Sequence, residues 1–323
     1  MLSTLVDMNP AIEAVDLVKV FGTHRAVDGV SLTVPTGAVY GVLGPNGAGK
    51  TTTVRMLATL LRPDGGSARV FGHDVTREPT TVRSLVGVTG QYASVDEDLS
   101  ATENLIVFSR LLGLSRKDSR RRATELLDEF GLVEAANRPL KGFSGGMRRR
   151  LDLAASLIAS PPLLFLDEPT TGLDPRTRAQ MWETIRRLVA QGSTVLLTTQ
   201  YLDEADNLCD RIAVIDHGKV IADGTADELK SSIGQSSLQL VLSDKAQLDD
   251  ARSIVASYLG IEVSASTESG RLSAPMANPS HTPDILIRLR DHDIAVEEIS
   301  VTKPSLDEVF MTLTGKTAQE DAA

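Results

Sequence analysis

Strand-like and helix-like segments alternate through the first part of the chain. Runs in which apolar residues alternate or follow one another predict strands. These strand segments are 11–21, 27–34, 38–43, 68–72, 85–91, 162–169, 193–199 and the hairpin 211–225. Apolar residues at three- and four-residue steps predict helices over 51–61, 104–114, 120–132, 151–159 and 177–190. Strands that alternate with helices in this way indicate an α/β fold.

The last part of the chain has a different order of elements. The predicted elements are a strand at 237–242, a helix at 246–259, strands at 261–267 and 271–276, a helix at 282–292, a strand at 295–302 and a helix at 305–314. The β-α-β-β-α-β order predicts a small α+β unit of the ferredoxin-like type. The polar segment 231–236 is expected to be a linker between a domain over 1–230 and an accessory domain over 237–323. A regulatory or dimer-supporting role is expected for the accessory domain.

Composition limits the class of protein to which the chain can belong. Its 33 Lys and Arg against 43 Asp and Glu give a net charge of −10, which argues against wholesale binding to nucleic acid. The single cysteine, Cys209, excludes an internal disulfide and fits a reducing cytoplasm. No apolar stretch approaches the ~18 residues of a membrane-spanning helix, and the N-terminus does not resemble a secretory signal. Any role at a membrane is therefore expected to depend on a partner.

Residues 44–52 fit the phosphate-binding loop template G-x-x-x-x-G-K-[ST]. Glycines let successive backbone N–H groups converge on a triphosphate, while Lys50 reaches the β- and γ-phosphates and the Thr51 hydroxyl ligates Mg²⁺. A strand precedes the loop and a helix follows it, which argues against a chance glycine-rich turn. The predicted nucleotide-binding residues of the loop are Gly44, Pro45, Asn46, Gly47, Ala48, Gly49, Lys50, Thr51 and Thr52.

Two adjacent acids end the buried strand 162–169. Ligands bind at the carboxyl ends of strands in open α/β sheets, so Asp167 is expected to hold Mg²⁺. Glu168 is expected to polarise the water that attacks the γ-phosphate. The alternative is that both acids only form the turn after the strand. Gln200 ends the strand 193–199 and is expected to face the same crevice.

Two further signals are weaker. Phe21 ends the first strand, where an aromatic ring either stacks on an adenine or serves as an ordinary core residue. Ser144, Gly145 and Gly146 begin a predicted helix and would present N–H groups suited to an anion. The spelling S-G-G is also common in loops, so this motif alone carries little weight.

The order of these motifs resembles the nucleotide-binding subunit of ATP-binding-cassette (ABC) transporters over about residues 11–230. The matching motifs are the phosphate loop, Gln91, the signature 143–147, Asp167 with Glu168, and the G-L-D-P loop 172–175. The resemblance implies a P-loop NTPase cassette in which a mixed sheet core carries a helical subdomain at about 93–160. It also implies ATP and Mg²⁺ as cofactors and Phe21 as the adenine-stacking residue.

The same resemblance implies a composite site in a head-to-tail homodimer. Residues 144–147 of one copy would cap the ATP on the phosphate loop of the other copy, and Asp174 would contact the opposite subunit. Gln91 would reach the Mg²⁺ and link the site to a separate transmembrane permease, while Glu168 would be the general base. The chain would then be a peripheral subunit on the cytoplasmic side of the cell membrane.

Two positions depart from the family pattern. Phe143 replaces the usual Leu of the signature, which is a conservative apolar change. Gln200 replaces a His that senses the γ-phosphate, and glutamine donates a hydrogen bond without carrying a positive charge. The spelling of 198–206 is similar to the daunorubicin-resistance branch of bacterial drug exporters. That branch implies an ATPase that energises export of a hydrophobic drug through the permease.

Two other functions remain open from the sequence. Slow hydrolysis caused by Gln200 would make the chain a soluble nucleotide-gated regulator. A cassette acting on ribosomes or DNA is the other possibility, but the chain has one cassette and no long coiled-coil insertion. We therefore expect no nucleic-acid partner.

Overall fold

A computed structural model describes residues 10–90, 95–234, 236–266, 270–276 and 278–314. The chain forms two compact units, which divide between Ala226 and Asp227. The first unit carries the phosphate loop and the acidic strand. In the part of the chain that the structure describes, no helix has the length and apolar character needed to cross a membrane.

The first unit contains ten strands and seven α-helices among its described residues. The strands are β1 Ile12–Phe21, β2 His24–Val34, β3 Val39–Leu43, β4 Gly65–Val70, β5 His73–Asp74, β6 Val86–Thr89, β7 Leu163–Asp167, β8 Thr194–Thr199, β9 Arg211–Asp216 and β10 Lys219–Gly224. The helices are α1 Lys50–Leu57, α2 Pro79–Leu85, α3 Ala101–Leu111, α4 Arg116–Glu129, α5 Gly145–Ser156, α6 Pro175–Ala190 and α7 Leu202–Leu208.

Two sheets organise this unit. One is a four-stranded antiparallel sheet with the order β2-β1-β4-β5, and the other is a six-stranded sheet with the order β10-β9-β3-β8-β7-β6. Strands β9, β3, β8, β7 and β6 run parallel, and β10 pairs antiparallel at the edge. This mixed sheet confirms the α/β prediction.

The central parallel strands are buried on both faces. Every residue of β3, β7 and β8 is buried, which explains why their sequences are continuous apolar runs. Along β7, Phe165 belongs to one core cluster with residues of the antiparallel sheet. Its neighbours Leu164 and Leu166 belong to a second cluster with residues of α3, α4 and α5. Successive side chains of a strand point to opposite faces, so β7 lies between these two cores.

Helices α3, α4 and α5 form the helical region between β6 and β7. Leu105, Leu126 and Leu151, one from each helix, are fully buried in the same cluster. A capping box between Ser100 and Glu103 begins α3. The helical subdomain expected at about 93–160 corresponds to this region, whose helices span residues 101–156.

Several element boundaries differ from the sequence expectation. Helix α1 ends at Leu57 rather than residue 61, because Thr59 adopts a positive φ and Leu60 bonds back to the Arg55 carbonyl. Helix α5 begins at Gly145, after its cap Ser144, as the S-G-G motif predicts, and it ends at Ser156 rather than residue 159. Helices α2 and α7 were not expected, because each has seven residues and too few apolar positions to show a period.

The second unit is a β-α-β-β-α-β domain with a helix at each end. Its elements are α8 Ala226–Ile233, β11 Ser236–Leu242, α9 Leu248–Leu259, β12 Ser264–Ser266, β13 Arg271–Met276, α10 Thr282–Asp291, β14 Val296–Thr302 and α11 Leu306–Thr314. The sheet order is β12-β13-β11-β14, with every pair antiparallel. This topology confirms the ferredoxin-like prediction.

The segment expected to be a linker is partly helical. Residues 231–233 belong to α8, which buries Leu229 and has Asp227 and Glu228 in its first turn. Acids near a helix N-terminus are favourable because they meet the positive end of the helix dipole. Residues 231–233 of the expected linker are therefore the last residues of a short amphipathic helix.

Candidate functional site

The phosphate loop joins the carboxyl end of β3 to the start of α1. A Cβ atom at Gly44 would lie 2.2 Å from the Ile215 carbonyl oxygen, so only glycine fits. Gly49 has a φ of 104°, and a Cβ there would lie 2.4 Å from the Ala26 carbonyl oxygen. No side chain caps α1, and the first N–H groups of a helix have no partner within it. The loop therefore presents free donors to an anion.

Lys50 is held over this loop. Its side chain is buried, and Nζ donates to the carbonyl oxygens of Gly44 at 2.7 Å and Pro45 at 3.0 Å. Nζ also lies 3.7 Å from Oε1 of Glu168. Burial lowers the pKa of Lys50, whereas Glu168 and Asp167 act to raise it. The result is a positive charge enclosed between the glycine loop and the strand-end acids.

Asp167 contacts the phosphate loop directly. Its Oδ1 accepts a hydrogen bond from the Thr51 hydroxyl at 3.0 Å and another from the Thr198 hydroxyl at 2.5 Å. The pairing of β3, β8 and β7 brings these three residues together at one edge of the sheet. A hydroxyl and a carboxylate therefore lie side by side at the start of α1.

Glu168 has a backbone conformation that is unusual for a non-glycine residue. Its φ is +49°, and its backbone N–H lies 3.1 Å from both the carbonyl and the hydroxyl oxygens of Thr198. Oε2 accepts from the Thr171 hydroxyl at 3.3 Å, and the side chain is almost fully buried. A strained backbone persists only where its surroundings fix it, as is common at functional sites.

A cleft of about 260 Å³ connects the phosphate loop, Glu168 and Phe21. Its lining residues are Phe21, His24, Ala26, Pro45, Asn46, Gly47, Gly49, Lys50, Thr51, Thr52 and Glu168. The Phe21 ring is 49% exposed, and the Lys19 ammonium lies 5.6 Å from its centroid. Phe21 is therefore a rim residue of this cleft and not a core aromatic.

Gln200 follows β8, which lies between β3 and β7 in the sheet. Its half-buried position is at the same edge as the phosphate loop and Glu168, although it is not among the residues that line the cleft. Gln91 lies outside the described residues. The residue before it, Gly90, accepts a 2.7 Å hydrogen bond from Arg149, whose guanidinium also lies 3.4 Å from the Glu168 carbonyl oxygen.

The signature residues lie away from the cleft lining. Ser144 caps α5 by accepting from the Met147 N–H at 3.3 Å, and Ser144 and Gly145 are exposed. Gly146 is buried and packs closely against Thr177. A Cβ atom at Gly146 would lie 2.3 Å from the Thr177 methyl carbon. The starts of α5 and α6 are therefore in contact.

Asp174 has a local partner within this chain. It caps α6 by accepting hydrogen bonds from the Thr177 N–H at 3.0 Å and the Thr177 hydroxyl at 2.6 Å. These bonds lower the pKa of Asp174, with the hydroxyl as the larger cause. The G-L-D-P loop therefore packs beside the signature and not beside the phosphate loop of the same chain.

The sequence reasoning gave no role to two residues that support the acidic pair. Thr198 holds both Asp167 and the Glu168 backbone, and a hydroxyl within the apolar strand β8 was a usable signal for it. Arg149 lies within the run 148–150, in which Arg148 pairs with Glu97 on the surface. The sequence alone does not distinguish the inward arginine from its neighbours.

The residues near Thr51 and Asp167 suit Mg²⁺. Among the described residues there is no cluster of three or more His, Cys, Asp or Glu side chains that could hold a metal by itself. Mg²⁺ is commonly bound through one or two protein oxygens together with substrate phosphates and water. The Thr51 hydroxyl and the Asp167 carboxylate fit that requirement, 3.0 Å apart.

The glycine loop and the acid pair place the protein among P-loop nucleotide-binding proteins, and the helical region between β6 and β7 narrows the class to ATP-binding cassettes. The sequence profile of the ABC transporter family matches residues 27–171. The profile of the DrrA1-3-like ATP-binding protein C-terminal domain matches residues 224–314. The two profiles follow the two compact units.

Similar proteins extend over nearly the whole chain. The daunorubicin/doxorubicin resistance ATP-binding protein DrrA of Streptomyces peucetius is 58% identical over 96% of this chain and 94% of its own. The daunorubicin resistance ATP-binding protein DrrA2 of Streptomyces coeruleorubidus is 49% identical over 97% of this chain and 98% of its own. The chain belongs to the family of ABC transporter ATP-binding subunits, in the daunorubicin-resistance branch.

A solved structure supports the cassette part of this assignment. The dimeric post-hydrolysis state of an ATP-binding cassette bound to ADP and Pi matches with a TM-score of 0.61 and 25% identity. The match covers 66% of this chain and 98% of that one. The protein is therefore an ATP-binding ATPase subunit of ABC type.

Proposed function

We propose that this chain is the Mg²⁺-dependent ATPase that energises export of a hydrophobic drug or similar compound through a separate membrane permease. The observation that carries the proposal is the contact between the acidic strand end and the phosphate loop. Thr51 lies 3.0 Å from Asp167, and Lys50 lies 3.7 Å from Glu168. A nucleotide-binding loop without an adjacent acid pair would support binding alone.

The side chains around the cleft have separate roles in this proposal. The loop N–H groups and Lys50 bind the phosphates, and Phe21 stacks on the adenine. Thr51, Asp167 and Gln91 hold Mg²⁺, which supplies charge neutralisation at the phosphates when it is bound. Both the Lys50 ammonium and the neighbouring Thr171 hydroxyl orient the Glu168 carboxylate.

Glu168 is the proposed general base for the attacking water. Thr198 fixes the Glu168 backbone, which gives the carboxylate a defined position at the edge of the sheet. Gln200 is proposed to donate a hydrogen bond to the γ-phosphate from the neighbouring strand end. An amide can stabilise an oxyanion in this way but cannot transfer a proton.

The site is proposed to be completed by a second copy of the chain. Ser144 and Gly145 are exposed at the start of α5, where backbone N–H groups can meet a phosphate. In a head-to-tail homodimer, residues 144–147 would cap the ATP of the partner copy, and Asp174 would lie at the contact. The dimeric cassette among the similar structures supports this arrangement.

The relatives support a proposed cargo class, and the proposed cellular location depends on the proposed permease partner. Those named above are daunorubicin or doxorubicin resistance proteins, so an anthracycline-like compound is the proposed cargo class. Cargo is proposed to pass through a permease encoded separately. The chain would act as a peripheral subunit on the cytoplasmic side of the membrane, with no nucleic-acid partner.

Hydrolysis of Mg²⁺-ATP by the purified chain tests the proposal. We expect Glu168→Gln to reduce turnover by at least about a hundredfold while ATP binding persists, because the base is lost and the loop is intact. Glu134→Gln, at an exposed site outside the motifs, is the matched control and should hydrolyse ATP normally. Removal of Mg²⁺ with EDTA should also stop turnover. Normal hydrolysis by Glu168→Gln would refute the assigned base.

Gln200→His separates a motor from a nucleotide-gated regulator. If the wild-type chain hydrolyses ATP with its permease, Gln200 is a working substitute for the usual His. If wild type binds ATP without turnover and Gln200→His restores hydrolysis, the regulator is the correct function. The rate of phosphate release at saturating ATP measures both outcomes.

A further inference from the structure

Helix α7 carries a buried carboxyl group that the proposed hydrolysis does not use. Glu204 has an exposed fraction of 0%, although acids are rarely buried unless they are paired. A buried carboxyl group is costly unless donors satisfy it. The stability of this buried group therefore depends on the donors around it.

Two separate segments, the loop after β7 and helix α6, supply those donors. Oε1 of Glu204 accepts from the Thr170 hydroxyl at 2.8 Å and from Nε1 of Trp182 at 3.1 Å. The Thr199 hydroxyl and the positive charge of Arg178 also act on the group to lower its pKa, and Oε2 has no hydrogen-bond partner among the described residues. Burial raises the pKa of Glu204, while these partners oppose that rise.

Two of the partners adjoin proposed catalytic positions. Thr170 lies two residues after Glu168, and the loop between them follows the acidic strand β7. Thr199 ends β8 and directly precedes Gln200. The carboxyl group thus accepts a hydrogen bond from the loop after Glu168, and its helix α7 packs against β8, the strand that Gln200 follows.

The third partner reaches toward the proposed dimer contacts. Trp182 lies on α6, the helix that Asp174 caps. Thr177, on the first turn of α6, packs against Gly146 of the signature. The Glu204 bond to Trp182 therefore anchors α6 to the segments that carry hydrolysis.

We propose that Glu204 is a positioning residue that fixes the loop after Glu168 and the end of β8 in the arrangement required for ATP hydrolysis. The proposal rests on the proposed ATPase function. Glu204 acts through hydrogen-bond acceptance at Oε1, and it does not touch the nucleotide. The residue should consequently affect turnover much more than ATP affinity.

The chain contains a built-in reporter for this proposal. Trp182 is the only tryptophan in the sequence, and it bonds directly to Glu204. Indole emission depends on the hydrogen bonding and polarity around the ring. A rearrangement of the Glu204 contacts when ATP binds should therefore change the emission of the full-length chain.

Four variants of the full-length chain separate the contributions. Glu204→Ala removes the shared acceptor, and Glu204→Gln retains an acceptor oxygen in a side chain of similar shape. Thr170→Val removes one donor without removing bulk. Asp203→Ala is the control, because Asp203 is the exposed neighbouring acid that pairs with Arg178. Turnover, ATP affinity and Trp182 emission with and without Mg²⁺-ATP are measured for each.

We expect Glu204→Ala and Thr170→Val to lower kcat by about tenfold or more with ATP affinity unchanged, since a small displacement of catalytic groups is costly. Glu204→Gln and Asp203→Ala should turn over like wild type. ATP should change Trp182 emission in wild type and Glu204→Gln, and this response should be absent in Glu204→Ala.

Two results would overturn the proposal. One is wild-type turnover in both Glu204→Ala and Thr170→Val, or in Thr170→Val alone if Glu204→Ala does not fold. The other is a Glu204→Gln chain as slow as Glu204→Ala, which would show that negative charge rather than acceptance is required. A wild-type chain without ATPase activity would refute the proposed function instead, and the emission response to ATP would still test Glu204.

Discussion

At the scale of single residues, Gly49 shows how one missing side chain determines nucleotide binding. Its φ is 104°, and a Cβ there would approach the Ala26 carbonyl oxygen to 2.4 Å. Gly192 has nearly the same φ, 102°, with nothing within 4 Å of its Cβ position. Alanine variants at Gly49 and Gly192 therefore separate the effect of backbone strain, which both share, from steric collision, which only Gly49 has.

We predict that Gly49→Ala reduces ATP affinity by at least about tenfold, because the loop must move to relieve the collision with backbone. Gly192→Ala should bind ATP like wild type. Both should lose roughly 1–2 kcal/mol of stability through the left-handed backbone, with the larger loss in Gly49→Ala. Fluorescence titration and thermal unfolding measure the two quantities. Equal ATP affinity in the two variants would contradict the steric argument.

The residues of the site were predictable to different extents. Lys50, Asp167 and Glu168 follow from local spelling, because phosphate binding and strand-end acids impose short sequence patterns. The roles of Thr198 and Glu204 do not follow from such patterns. They depend on the position of β8 between β3 and β7 and on the contact of α7 with the loop after β7. Contacts between segments distant in sequence have no local pattern.

At the scale of secondary-structure elements, a buried tyrosine joins three strands at the edge of the parallel sheet. The hydroxyl of Tyr40 on β3 donates to Asp223 on β10, and Arg211 on β9 also bonds to Asp223. Burial and this hydrogen bond raise the pKa of Tyr40. The antiparallel edge strand is thereby tied to the strand that leads into the phosphate loop.

We predict that Tyr40→Phe lowers the free energy of unfolding by about 1–2 kcal/mol, because Asp223 loses a buried donor. ATP affinity should not change, since the loop itself is intact. Tyr258→Phe is the matched control, as the Tyr258 hydroxyl bonds to Asp284 at an exposed site. Urea denaturation followed by circular dichroism measures both, and equal losses would contradict the role of burial.

Elements with many periodic apolar residues were predictable, and short ones were not. The ferredoxin-like order followed from sequence because β11, α9 and α10 each bury several apolar residues. Helices α2 and α8 each bury one residue, which leaves no period to detect. Their formation depends on contacts with the rest of the chain more than on pattern.

At the scale of the whole molecule, the signature residues do not line the cleft of the same chain. The phosphate loop and acids line the cleft, whereas Ser144 and Gly145 face solvent. The proposed dimer would give these exposed residues a role, because another chain would bring its nucleotide to them. The head-to-tail arrangement stays a prediction from the family resemblance, because no single-chain pattern encodes a partner.

We predict that Glu168→Gln with Mg²⁺-ATP forms a stable dimer, because the nucleotide that joins the copies is not hydrolysed. Ser144→Arg in the same background should keep the chain monomeric, since a long charged side chain would occupy the contact. Light scattering after size-exclusion chromatography measures the mass. A monomer in the Glu168→Gln chain at saturating ATP would contradict the head-to-tail assembly.

Helix α5 has a further consequence in that dimer. Its first residues would face the partner's nucleotide, while Arg149 on the same helix lies 3.4 Å from the carbonyl oxygen of its own Glu168. Arg149 also holds the Gly90 carbonyl at the start of the segment proposed to meet the permease. Helix α5 would then be linked to the nucleotide sites of both copies and to the segment proposed to meet the permease. Each protomer would sense its neighbour's phosphates through the helix that steadies its own base.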